Sequence, residues 1–183
     1  SRLATALEAG TSVPPLWLAA IGAYVPLHKL PRAELLLQRA WPDAVRRVLE
    51  LQVQEPLHEK ATQASIPRLT PIDDGVSAEV QRQYEENPYP RWVKTVPPVG
   101  PIDIDAYLRA QFPLAPIREL RKDRGLDVLV AGCGTGQHPI HIAQQFAGAQ
   151  VLALDVSRAS LAYARRKTSE MGLKQIEYAQ ADI

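Results

Sequence analysis

Residues 128–136, Val-Leu-Val-Ala-Gly-Cys-Gly-Thr-Gly, constrain this chain more than any other stretch. An apolar, β-branched run breaks into Gly132, Gly134 and Gly136, and a helical pattern begins at once. At a junction of strand, glycine loop and helix a ligand can approach the backbone, because no Cβ stands in the way. The same alternation continues downstream. Strands are expected over 127–131, 150–154 and 176–179, with helices between them over about 137–146 and from Ser157 to Gly172. Ser157 is the expected N-cap of the second helix, and Gly172 its stop. Strands and helices alternating through short connections make a parallel sheet with right-handed crossovers, so the fold class is α/β.

The sequence upstream is of a different kind. Residues 1–65 read as a small helical region punctuated by Pro31, Pro42 and Pro56, the end of a helical repeat array without a clear internal repeat. Residues 16–24 are apolar almost all round, which predicts a buried helix. Further helices are expected over 32–40 and 43–54. Residues 66–118 form a connector rich in proline, including Pro97 and Pro98, with helices expected over 77–86 and 104–111. Tyr84, Tyr89, Trp92 and Tyr107 need apolar surface to cover, so this connector is expected to lie across the α/β region that starts at residue 119.

Composition removes several function classes. The 183 residues are 46% hydrophobic, and 21 basic against 20 acidic residues leave a formal charge of +1. With no polybasic face, nucleic acid is not an expected partner. No run reaches the roughly 20 apolar residues of a membrane span, and no signal peptide is read. The single cysteine, Cys133, allows no internal disulfide and fits a cytoplasmic location. His138 and His141 stand three apart on one helix, but lack the partners of a zinc site, so no metal is expected.

Two carboxylates follow the glycine loop. Asp155 ends the second expected strand, where it can accept hydrogen bonds from the two hydroxyls of a ribose or cap the helix after it. Asp182 follows the third strand, and a parallel sheet brings the carboxyl ends of adjacent strands to one crevice. There it can accept from the exocyclic amine of adenine, the alternative being a solvated loop residue.

The last 60 or so residues resemble the class I S-adenosylmethionine-dependent methyltransferases. Residues 128–136 look like their first motif, Leu154-Asp155-Val156-Ser157 like the second, and Gln180-Ala181-Asp182-Ile183 like the third. The resemblance implies the first three strands of a Rossmann-like sheet and S-adenosylmethionine as cofactor. By position, Gly132, Gly134 and Gly136 would cradle the methionine part, Asp155 the ribose and Asp182 the adenine, with Ala131 and Gln137 completing the set. Many family members carry an acid where this chain has Val130, so the methionine end is expected to be held differently. Residues 83–92, Gln-Tyr-Glu-Glu-Asn-Pro-Tyr-Pro-Arg-Trp, look like a segment of bacterial methyltransferases that carry tetratricopeptide repeats ahead of the catalytic domain. The resemblance further implies a fragment, with a missing fourth strand leaving an unpaired apolar edge beside the first.

No catalytic base can be assigned, and the methyl acceptor is unknown. Asn87-Pro88-Tyr89-Pro90 differs in order and place from the Asn-Pro-Pro-Tyr motif of methyltransferases that act on nitrogen, and reads as a packed turn, with Tyr84 or Tyr89 folding over the cofactor pocket. Two rival readings remain. A nicotinamide-dependent oxidoreductase would need glycine where Gln137 stands. A non-catalytic helical module, binding a protein partner and carrying a degenerate nucleotide site, is compatible with Val130.

Overall fold

The computed structural model describes residues 2–95, 100–120 and 125–182. Pro97, Pro98 and Ile183 lie outside the described residues. The chain forms two compact units, Ser1–Ala61 and Thr62–Ile183.

In the first unit, α1 (Arg2–Glu8), α2 (Pro15–Gly22) and α3 (Asp43–Leu49) surround a core of Leu3, Leu7, Val13, Leu18, Leu27, Leu36, Leu49 and Val53. The expectation of a buried helix over 16–24 does not hold. Only Leu18 of α2 is buried, and Leu16 is 77% exposed. A two-turn helix on so small a core meets it along one line, whatever its other faces carry. Residues Ala33–Gln38 form a 3-10 helix after Arg32, whose φ of 56° turns the chain in.

Pro56 does not end the helical run, contrary to expectation. α3 continues through a π-turn over Glu50–Gln54 into α4 (Glu55–Thr62). A proline ring inside a regular helix would meet the carbonyl four residues back and leave it without a donor. Here the Glu55 N–H reaches back to the Glu50 carbonyl, and this wider turn makes room for the ring. The Gln52 carbonyl, deprived of a partner at Pro56, accepts instead from His28 Nδ1 at 3.2 Å.

The second unit is built on a parallel sheet of order β1-β2-β3, with β1 Leu126–Ala131, β2 Ala149–Asp155 and β3 Ile176–Gln180. Its register pairs Val128 with Val151 and Val151 with Ile176. This is the parallel α/β arrangement expected from the alternation of elements, and the Rossmann-like one that the resemblance implies. α7 (Gln137–Gln145) and α8 (Arg158–Glu170) cross over on one face, where Ala143, Phe146, Leu161, Ala162 and Ala164 close on Val130, Val151, Ala153 and Tyr178. On the other face Leu129 is 62% exposed.

Residues ahead of the sheet brace it. Gln180 N–H donates to the Pro67 carbonyl and Leu69 N–H to the Gln180 carbonyl, both at 2.8 Å, so residues 67–69 run parallel to the end of β3. Arg165 on α8 holds the Thr62 carbonyl and Ser65 Oγ at 2.9 and 2.7 Å. α5 (Gly75–Glu86) follows, N-capped by Asp74, and α6 (Ile104–Gln111), N-capped by Asp103. Between them Trp92 is buried against Ile140 and Tyr163, and from α6 Tyr107 meets Phe146 edge-on with ring centroids 5.2 Å apart.

Candidate functional site

The loop after β1 owes its shape to its glycines, which play two different parts. Gly132 and Gly134 have φ of +65° and +52°, and a Cβ on either would meet nothing within 4 Å. Both border a cavity. Gly136 (φ +87°) is buried instead, and a Cβ there would come within 2.5 Å of Ala164 Cβ on α8. The first two glycines therefore open the loop to a ligand, and the third lets α8 pack against it.

The cavity has a volume of about 720 Å³, within the range usual for small-molecule sites. Of the expected cofactor residues, Ala131, Gly132, Gly134, Gln137, Asp155 and Asp182 line it, and Gly136 does not. The carboxyl ends of β1, β2 and β3 thus converge on one space. Tyr84 and Tyr89 line it from α5 and the turn beyond, as do Val76, Ser77 and Val80.

Asp155 is buried, and the backbone grips its carboxylate. Gly134 N–H donates to Oδ2 at 2.7 Å and Ser157 N–H to Oδ1 at 2.9 Å. Each oxygen retains a second lone pair, so the group can still accept from a ligand while the loop fixes its orientation. The cap of α8 itself falls to Ser157, whose Oγ accepts from Ser160 N–H at 3.1 Å. Asp182 is held from the other side. Its N–H donates to Thr70 Oγ1 at 2.7 Å, and its Oδ1 accepts from Ser77 Oγ at 2.7 Å.

Residues 87–90, expected as a packed turn, are largely exposed, and hydrogen bonds at Pro90 and the buried Trp92 hold them in place. Thr135 Oγ donates to the Pro90 carbonyl at 2.6 Å, and the Trp92 indole donates to the Thr135 carbonyl at 3.0 Å. Tyr163 hydroxyl donates to the Trp92 carbonyl, which locks the turn onto α8. Cys133 lines the cavity, but burial, and then the neighbouring Asp155 charge, push its thiol far up, so it stays protonated at neutral pH. Burial likewise raises the Tyr178 hydroxyl, which shares a 2.7 Å hydrogen bond with Thr168 Oγ1. Val130 lies in the core rather than in the cavity. Among the described residues, no group of three or more His, Cys, Asp and Glu could hold a metal ion. His138 and His141 are both exposed.

Sequence reasoning missed Thr70, Ser77, Glu85 and Thr135. Thr135 stood in the glycine string and could have been marked as a hydroxyl beside the backbone. The other three carried no signal, because their partners lie far away in sequence.

A family model for the methyltransferase domain matches residues 128–183. No curated protein matches the chain in sequence. Among solved structures, an S-adenosylmethionine-dependent methyltransferase from Aquifex aeolicus is 29% identical over 32% of this chain and 31% of its own, with a TM-score of 0.29. A Haemonchus contortus phosphoethanolamine N-methyltransferase, in complex with phosphomonomethylethanolamine and S-adenosylhomocysteine, is 25% identical over 46% of this chain and 18% of its own, with a TM-score of 0.31. Coclaurine N-methyltransferase, bound to N-methylheliamine and S-adenosylhomocysteine, is 21% identical over 99% of this chain and 48% of its own, with a TM-score of 0.31. The chain therefore spans less than half the length of these structures. From Val128 onward, through the glycine loop and both aspartates, it is similar to methyltransferase domains.

Proposed function

We propose that the second unit binds S-adenosylmethionine and belongs to an enzyme that transfers the methyl group to an acceptor not yet identified. The observation that carries this reading is the meeting of an open glycine loop and two strand-end carboxylates around one cavity, in a segment that matches methyltransferase domains. The residues fit the cofactor. Gly132 and Gly134 leave open the space that a side chain would occupy, and Asp155, oriented by Gly134 and Ser157, presents a fixed acceptor to the ribose hydroxyls. Asp182, steadied by Ser77 and Thr70, would accept from the adenine amine. Ala131 and Gln137 line the same cavity and would complete the cofactor site, and Tyr84 or Tyr89 would fold over it from α5 and the following turn.

When bound, S-adenosylmethionine supplies an electrophilic methyl carbon on a sulfonium. The acceptor's lone pair forms the new bond as the carbon–sulfur bond breaks and its electrons return to sulfur. The protein's part is to hold donor and acceptor in line and to keep water out, with a base needed only where the acceptor must lose a proton. The first unit is proposed as the end of a tetratricopeptide-type array that binds a protein partner, and the whole as cytoplasmic.

Titration calorimetry with S-adenosylmethionine, and NAD as comparison, tests the reading. Binding selective for S-adenosylmethionine and weakened in Asp155→Ala by at least tenfold is expected, since two charge-assisted bonds are lost, each worth about 1.5–3 kcal/mol. Equal binding of NAD would favour the oxidoreductase, and no binding by the folded chain would favour the rival reading of a degenerate nucleotide site.

A further inference from the structure

We propose that Glu85 sets specificity at the ribose end of this cavity, excluding adenosine ligands that carry a phosphate on the 2′ oxygen. The inference rests on the adenosyl-cofactor reading above. α8 starts two residues beyond Val156, directly after the stretch that carries Asp155. The first N–H groups of a helix lack intrahelical partners, and its dipole favours anions there. In open parallel sheets, an arginine close to the acid at the end of the second strand accommodates a ribose 2′-phosphate. Arg158 stands three residues after Asp155, and its Nε is buried without a hydrogen-bond partner among the described residues. Donors for a phosphate are therefore present at this helix end.

A carboxylate has taken the backbone donors first. Glu85, reaching over from α5, accepts from Arg158 N–H on Oε1 at 2.6 Å and from Ala159 N–H on Oε2 at 3.2 Å. Ser157 N–H goes to Asp155 and Ser160 N–H to Ser157 Oγ, so each of the four consecutive N–H groups has an acceptor. A 2′-phosphate, carrying about −1.5 to −2 charges, would find no free backbone donor and would meet the charges of both Asp155 and Glu85. The unphosphorylated ribose needs none of these donors. Glu85 does not line the cavity, so its effect on ligand choice runs through charge and donor occupancy rather than through contact.

The test is the ratio of dissociation constants for adenosine 2′-monophosphate and adenosine, measured by NMR-monitored titration at fixed ionic strength. The wild-type chain, Glu85→Ala and Glu85→Gln are compared, and the ratio within each protein cancels general loosening of the site. Removing a like charge and freeing two donors should lower the ratio by about tenfold in Glu85→Ala. Glu85→Gln, which keeps the shape and one acceptor but not the charge, should fall in between. An unchanged ratio in both variants, with adenosine still bound, would overturn this inference alone. Failure of the wild-type chain to bind adenosine would overturn the cofactor reading and this inference together.

Discussion

α8 and α5 are nearly equal in length, 13 and 12 residues, and both border the same cavity, yet they are held by opposite means. Nine of the thirteen residues of α8 are buried, with Leu161 and Ala164 fully enclosed between loop and sheet. α5 buries no residue. It is fastened by hydrogen bonds near its two ends, Ser77 to Asp182 and Glu85 to the start of α8, with Asp74 capping it from outside. Apolar burial is non-directional and resists displacement, whereas a few partly buried polar ties can be exchanged for water at a smaller net cost. One wall of the cavity is therefore part of the core, and the other is a fitted cover. A ligand would find the loop and strand ends already in place, and would act chiefly on α5.

The contrast can be broken most strongly from the α8 side. Leu161→Ala empties space in the core and should cost about 2–5 kcal/mol of global stability, read from the midpoint of urea unfolding. Gly136→Ala comes next. Its Cβ cannot coexist with Ala164 at 2.5 Å, and the positive φ adds strain, so a loss of about 1–3 kcal/mol is expected in the same measurement. The smallest effect sharpens the comparison rather than breaking it. Asp74→Ala removes the cap of α5 and should cost about 1 kcal/mol, confined to that helix. Hydrogen exchange should show faster opening of the α5 amides with those of α8 unchanged. Equal acceleration in both helices would mean that they form one cooperative body.

The legible part of this molecule is the part whose pattern is local. The order β1-α7-β2-α8-β3 follows from apolar runs, glycines and the Ser157 cap, and each boundary falls within about two residues of expectation, because short connections leave little alternative. The same parallel register carries Asp155 and Asp182 to one cavity. What was not legible depends on distant partners. Glu85 sits on an exposed amphipathic helix, where a carboxylate has no reason to declare an end use. The run 67–69 has no strand pattern of its own, because one bridge beside Gln180 is enough to seat it. Pro56 misled for a physical reason, since a π-turn absorbs the ring that a regular helix would reject. α2 misled because apolar composition on all sides cannot tell a buried helix from one that leaves Leu16 outside.

The bond between Asp182 N–H and Thr70 spans 112 residues, and this separation orders events during synthesis. Residues 67–86 leave the ribosome first, but their partners on β3 and at the start of α8 do not yet exist. At about 5–20 residues per second, the cover waits roughly 6–22 s for the residue that fastens it. In that interval the Asp74 cap and the short turns of α5 are all that the segment has, too little to keep an isolated helix of this length formed. The cavity is thus closed last by the part of the unit made earliest, and Asp182 completes it from one side as it secures the cover from the other.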